Sequence, residues 1–215
     1  MYSGIAAEIL WTFKYTVNYI KRQYGINVAV LNVDGEPALH ESNEFREWKA
    51  DTGILVKISA PEAYEQNGAT ERSGGVLSLR ATKMRLEGQL PEELWNEIYP
   101  TAGYILNRTP CKRHNWLSLL AKLYEWLGWE PLQKCHHLKL YGCKAYTYIY
   151  NRPKLEKIGV KSYIGYLVGY ESTNIWRIWI PSLGRIIVMR DVTFDTTQRY
   201  SPRDELITID NEQAD

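Results

Sequence analysis

Asp34 and Glu71 are the residues whose chemistry stands out. Asp34 closes the apolar run Ile26-Asn27-Val28-Ala29-Val30-Leu31-Asn32-Val33, and Glu71 follows Gln66-Asn67-Gly68-Ala69-Thr70. A strand that ends in Asp and a later helix that presents Glu bring two carboxylates within reach of one divalent cation, and hard cations prefer such oxygen ligands. Asn67-Gly68 reads as a turn, and Thr70 as the cap of a helix carrying Glu71 near its first turn. Arg72 is the adjacent cation, able to reach an anionic ligand or to pair with Glu65 or Glu71 on the surface. Taken singly, a strand-end Asp is most often a turn former and a first-turn Glu answers the helix dipole.

Alternating elements must position these groups. Apolar residues Ile9, Leu10, Phe13, Val17 and Ile20 predict an amphipathic helix from Ala6 to Tyr24, closed by Gly25. The strand ending at Asp34 follows. A second helix starts near Ser42 with Phe45 and Trp48 as its apolar face, and Gly53 ends it. Ile54–Ile58 is a short strand leading into Pro61, and an apolar helix runs from Glu71 to about Glu87, ending near Gly88. Pro91 opens a further helix that Pro100 should kink or end early. Trp116–Trp129 carries leucines at helical spacing. From Leu138 the period changes: 144–150, 162–170, 175–180 and 185–192 read as short strands separated by turns, the pattern of a small barrel. Trp176 and Trp179 are expected to pack in or at the rim of that barrel. The tail after Phe194 is polar, acidic and without periodicity, and is expected to be disordered.

The chain has 215 residues and a formal net charge of +1, so no global basic field advertises nucleic acid. The positive charge is local: residues 139–199 hold ten Lys or Arg against four acids, with Lys154, Lys157 and Lys161 closely spaced. Three cysteines and no secretory signal argue for a reducing, intracellular setting. No apolar run approaches the length needed to span a membrane. Cys111-x-x-His114 and Cys135-His136-His137 invite a zinc reading, but a paired Cys-x-x-Cys is missing and the pattern fits no zinc module.

Asp34-Gly35-Glu36, Glu65-Gln66-Asn67-Gly68, Glu71-Arg72-Ser73-Gly74-Gly75, Leu106-Asn107-Arg108-Thr109-Pro110, Leu140-Tyr141-Gly142-Cys143 and Arg190-Asp191-Val192-Thr193-Phe194 occur in this order. The series resembles the integrase region of copia-type LTR retrotransposons, fungal elements above all. The resemblance implies an α/β fold: a truncated RNase H-like core over 1–108, a helical linker over 109–136, an SH3-like β-barrel over 137–195 and a tail over 196–215. It also implies DNA integration by metal-dependent strand transfer, with Asp34 and Glu71 as catalytic acids on Mg²⁺ or Mn²⁺. Asn67 and Arg72 would shape the active-site loop and touch DNA, and Lys154, Lys157 and Lys161 would hold nucleic acid on the barrel. The implied partners are element-end and target DNA, with RNA, a second copy or an intact integrase as further candidates, and the implied location is the nucleus. In the family the first acid precedes the Tyr-Ser-Gly element, which here opens the chain as Tyr2-Ser3-Gly4. The chain by itself is therefore expected to be catalytically incomplete. The rival reading is a non-catalytic nucleic-acid-binding or assembly module, or a degenerate remnant.

Overall fold

A computed structural model describes residues 2–33, 42–58, 64–130, 135–148 and 162–201. The chain divides into two compact units, residues 1–73 and 74–215. The first contains helix α1 (Tyr2–Tyr24), strand β1 (Val30–Val33), helix α2 (Asn43–Thr52), strand β2 (Leu55–Ile58) and the start of helix α3 (Tyr64–Gly88). Gly25 and Gly53 end α1 and α2 in the left-handed conformation, each donating its N–H to a carbonyl four residues back, as the glycine stop signals predict. Leu10 and Phe45 are buried together, with Phe13, Trp48 and Val56 against them. β1 and β2 are parallel, and α2 is the crossover that parallel pairing requires.

The start of α3 differs from expectation. Asn67 and Gly68 lie inside this 25-residue helix rather than in a turn, so Thr70 is no cap and Glu71 sits two turns in. Asn and Gly each cost a helix interior up to about 1 kcal/mol relative to Ala, a penalty that a long cooperative helix absorbs. The Arg72 side chain assists locally, donating Nε–H to the Gly68 carbonyl at 2.7 Å.

The second unit joins the end of α3 and helices α4 (Trp95–Arg108) and α5 (Leu119–Trp126) to five strands: β3 (Cys143–Tyr148), β4 (Ser162–Tyr170), β5 (Trp176–Ile180), β6 (Arg185–Met189) and β7 (Val192–Arg199). All pairs are antiparallel, in the order β6-β5-β4-β3-β7. Only Arg190 and Asp191 connect the two edge strands. Such a link reaches at most ~11 Å, whereas the edges of a flat five-stranded sheet lie ~19 Å apart. The sheet is therefore curled toward a barrel, the small barrel that the strand pattern predicts and that the resemblance implies is SH3-like.

β7 corrects the expected end of the barrel. Pairing with β3 carries order through Arg199, and Tyr200 is buried against Tyr166 and Trp179. The polar side chains at 195–198 belong to a strand whose outer face meets water, a role that polarity alone does not distinguish from a tail. Residues 202–215 lie outside the described residues. Trp176 and Trp179 both pack, but on opposite faces: Trp176 with Phe194, and Trp179 with Tyr166 and Tyr200.

Pro100 lies within α4 without ending it. Just beyond it Thr101 and Ala102 are buried, and the Thr101 hydroxyl donates to the Val168 carbonyl at 2.8 Å. Docking on β4 thus holds the half of the helix that the proline would otherwise loosen. For the same reason Arg108, the expected end of the core, is not where packing thins. α4 lies against β4, and compactness divides the chain between Ser73 and Gly74 instead. The expected helix at 116–129 is shorter, Leu119–Trp126, with Ser118 Oγ accepting from Ala121 N–H as its cap.

Two glycines are close approaches. A Cβ on Gly142, whose φ is +73°, would stand 2.6 Å from Gly88 Cα, where the end of α3 meets the start of β3. A Cβ on Gly165 in β4 would stand 2.5 Å from side-chain carbons of both Ile178 and Ile180. Gly165→Ala is expected to cost on the order of 2 kcal/mol, since overpacking a filled core displaces side chains or backbone. Equilibrium urea unfolding measures this, with Gly75→Ala, at an exposed helical position where an added Cβ meets nothing within 4 Å, as the control that should not destabilise.

Candidate functional site

Val33 and Ile58 are register partners, so β1 and β2 end side by side and the chain leaves both strands at one edge of the parallel pair. Asp34 is the next residue after Val33 and lies outside the described residues. From Ile58 the chain proceeds to α3, which carries Glu71 and Arg72, both exposed. The backbone of Asn67 is helical in α3, one turn before Glu71. Ligand sites of α/β proteins form at the carboxyl ends of parallel strands, the edge that Asp34 follows. Glu71 lies about 10 Å along α3 from Tyr64, at the helical rise per residue. Among the described residues no group of three or more His, Cys, Asp or Glu is placed to hold a metal ion.

The basic segment carries less free charge than its composition suggests. Lys154, Lys157 and Lys161 lie outside the described residues, as does Arg152. Arg177 is engaged: Nε and Nη2 donate to the two carboxylate oxygens of Glu97 at 2.6 and 2.7 Å, and Nη1 to Glu171 at 3.4 Å. The forked hydrogen bonds with Glu97 hold the Arg177 guanidinium above its ordinary pKa. Lys144 is buried and donates to Gln198 Oε1 at 3.2 Å. Lys139, Arg185, Arg190 and Arg199 remain at least partly accessible to solvent. Near them, hydrogen bonds from the Thr197 hydroxyl and amide and from Gln198 hold the Asp195 carboxyl below its usual range.

Sequence reasoning missed a second polar cluster, between α4 and the barrel. Tyr104 stacks on Tyr170 with ring centroids 4.9 Å apart, its hydroxyl lies 3.0 Å from Nε2 of buried His137, and the Arg108 guanidinium covers its ring at 3.3 Å. Burial pushes the Tyr170 hydroxyl up to about 12, and this group donates to the Lys139 carbonyl at 2.8 Å. The spacing Tyr104-x-x-x-Arg108 is the one available signal, since residues four apart share a helical face. Nothing in the sequence connects it to His137 or Tyr170.

Comparison with known proteins gives a consistent family. Residues 143–208 match the retroviral polymerase SH3-like domain. The chain is 28% identical over 190 residues, 87% of its length, to the retrovirus-related Pol polyprotein from transposon TNT 1-94 of Nicotiana tabacum. It is 30% identical over 155 residues, 70% of its length, to that from transposon RE2 of Arabidopsis thaliana. It spans only 14% and 10% of those relatives. Among solved structures, a simian T-cell lymphotropic virus intasome in complex with PP2A regulatory subunit B56 gamma aligns with a TM-score of 0.45 at 14% identity, covering 92% of this chain and 66% of that one.

The cysteines are dispersed in environment. Cys111 and Cys135 are exposed, whereas Cys143 is fully buried in the barrel interior. Burial pushes the Cys143 thiol up to about 11, against smaller opposing contributions that include Arg199. Because the thiolate is the reactive species, Cys111 and Cys135 are expected to react with Ellman's reagent in the native state at pH 8. Cys143 should react only after unfolding. A native stoichiometry of three thiols would contradict this placement.

Proposed function

We propose that this chain, a homologue of the Pol polyproteins of copia-type transposons that carries a retroviral polymerase SH3-like domain, derives from an integrase and acts in DNA integration. The observation that carries the reading is the parallel pair β1–β2, whose carboxyl ends lie in register where Asp34 follows. The same edge begins the path to Glu71 on α3. The donor set suits Mg²⁺ or Mn²⁺, since both side chains offer hard carboxylate oxygens. Asp34 and Glu71 would hold the ion and leave positions open for phosphate oxygens. Bound there, a divalent ion supplies charge neutralisation at a phosphoryl group and a lowered pKa for coordinated water.

This chain's own residues then bind and orient the DNA. Arg72 lies one residue after Glu71, with a guanidinium fork suited to phosphate. Asn67 is one turn earlier on the same helix. Lys154, Lys157 and Lys161 would bind the DNA backbone without reading its sequence. The nucleus is the compartment in which such target DNA lies.

Calorimetric titration of the purified chain with Mn²⁺ tests the acids. A weak site, on the order of 0.1–1 mM, is expected, and Asp34→Asn and Glu71→Gln should each abolish it. An unchanged isotherm in Asp34→Asn would remove this aspartate from the site.

A second reading has its own support in the match over residues 143–208 and in the basic segment they share. Here the barrel binds nucleic acid whether or not the acids hold metal. Charge reversal of Lys154, Lys157 and Lys161 together should weaken DNA retention and reduce the slope of log K against log salt by roughly one for each phosphate no longer neutralised. A salt slope identical to that of the parent chain would exclude these lysines from the interface.

A further inference from the structure

In the second unit, α3, α4 and residues 138–141 enclose a cavity of about 300 Å³ that none of the preceding assignments uses. Its floor is apolar, built from Met84, Ala102, Ile105 and Leu138. At its rim stand Arg80, Lys83 and Lys139, with Glu87 as the single acid. None of the three cations forms an ion pair with another described residue, although Glu87 lies one helical turn from Lys83. The cavity therefore presents an apolar interior beneath a net positive rim.

The walls are fixed independently of any ligand. Tyr170 Oη donates to the Lys139 carbonyl at 2.8 Å and accepts from the Lys139 amide at 3.1 Å, holding the 138–141 backbone. Gly88 and Gly142 tie the end of α3 to the start of β3 at a distance that excludes a Cβ on Gly142. Little conformational entropy remains to be lost on binding. The volume lies at the lower limit for small-molecule sites, which are mostly apolar with a few convergent polar groups.

We propose that this cavity binds an amphipathic organic anion: an aliphatic chain or a single ring system in the interior, and a terminal carboxylate or sulfonate at Arg80, Lys83 and Lys139. A cationic headgroup is disfavoured by the rim charge. A neutral ligand would leave the three cations without a role in binding. The assignment is independent of the acids at Asp34 and Glu71.

The test uses the full chain and the fluorescent probe anilinonaphthalene sulfonate, with octanoate and octylamine as competitors of equal chain length. Saturable probe binding is expected, displaced by octanoate and at least about tenfold less well by octylamine, a difference of ~1.4 kcal/mol. Lys83 is exposed, so Lys83→Glu should leave the thermal melt of the free protein unchanged while weakening octanoate binding several-fold. Lys112→Glu, at an exposed position away from the cavity, should leave both unchanged. Equal displacement by octylamine, no displacement by octanoate, or equal weakening in Lys83→Glu and Lys112→Glu would each overturn the proposal.

Discussion

The second unit depends on the docking of α4 onto β4 and β5. Arg177 and Glu97 join the helix to the sheet through two parallel charge-assisted hydrogen bonds, with 32% and 17% of the side chains exposed. Partial exposure weakens such a pair, and the fork geometry strengthens it, so a contribution on the order of 1–3 kcal/mol is reasonable. Four residues after Glu97, the Thr101 hydroxyl meets the Val168 carbonyl. Gly169 lets this contact form, since a Cβ there would stand 3.2 Å from Thr101 Oγ1 and 3.1 Å from an Arg177 carbon. One turn of helix is thus fastened by an ion pair to β5 and by a hydroxyl to β4, which lacks a side chain at Gly169 where the helix approaches.

That docking explains why the barrel and the helices before it have two cores but one packing unit. The face of β4 toward the helices gives Tyr166 and Val168 to a cluster with Ala81, Leu94, Ile98 and Ala102. The opposite face gives Leu167 to the barrel interior with Cys143, Ala145, Ile178 and Ile180. β4 is buried on both sides, which is why Ser162–Tyr170 reads as a nearly continuous apolar and aromatic run rather than an alternation. The rim of the helix-facing cluster continues into the cavity between α3 and α4, where the apolar lining meets Arg80, Lys83 and Lys139.

The chemistry proposed for the first unit rests on a different constraint. Parallel strands end together, and whatever follows them shares one edge of the sheet. β1 and β2 end together at Val33 and Ile58, and the proposal uses the side they share for Asp34 and Glu71. Glu71 nevertheless rides two turns into α3 instead of at its mouth, so the dipole of that helix end does little for it. In the proposal it contributes only its carboxylate oxygens.

The sequence alone determined the element types, because hydrophobic period and glycine stops are local signals. α1, α2 and the strands β3 to β6 lie within a few residues of where apolar spacing put them. Gly25 and Gly53 stop helices for a reason intrinsic to glycine. The family was legible as well, since ordered motifs survive in a linear text. Tertiary structure decided whatever depended on partners distant in the chain. Asn67-Gly68 is a turn signal that a long helix overrode, and Pro100 is a helix breaker held in place by Thr101 on Val168. The polar run at 195–199 became a strand because β3 offered an unpaired edge. The ten cations of the barrel segment looked equivalent in composition, but only packing showed that Arg177 is engaged by Glu97, eighty residues away, and that Lys144 is buried. Local pattern fixes what a segment can become, and long-range contacts select among those states when their free energy exceeds the local preference of about 1 kcal/mol.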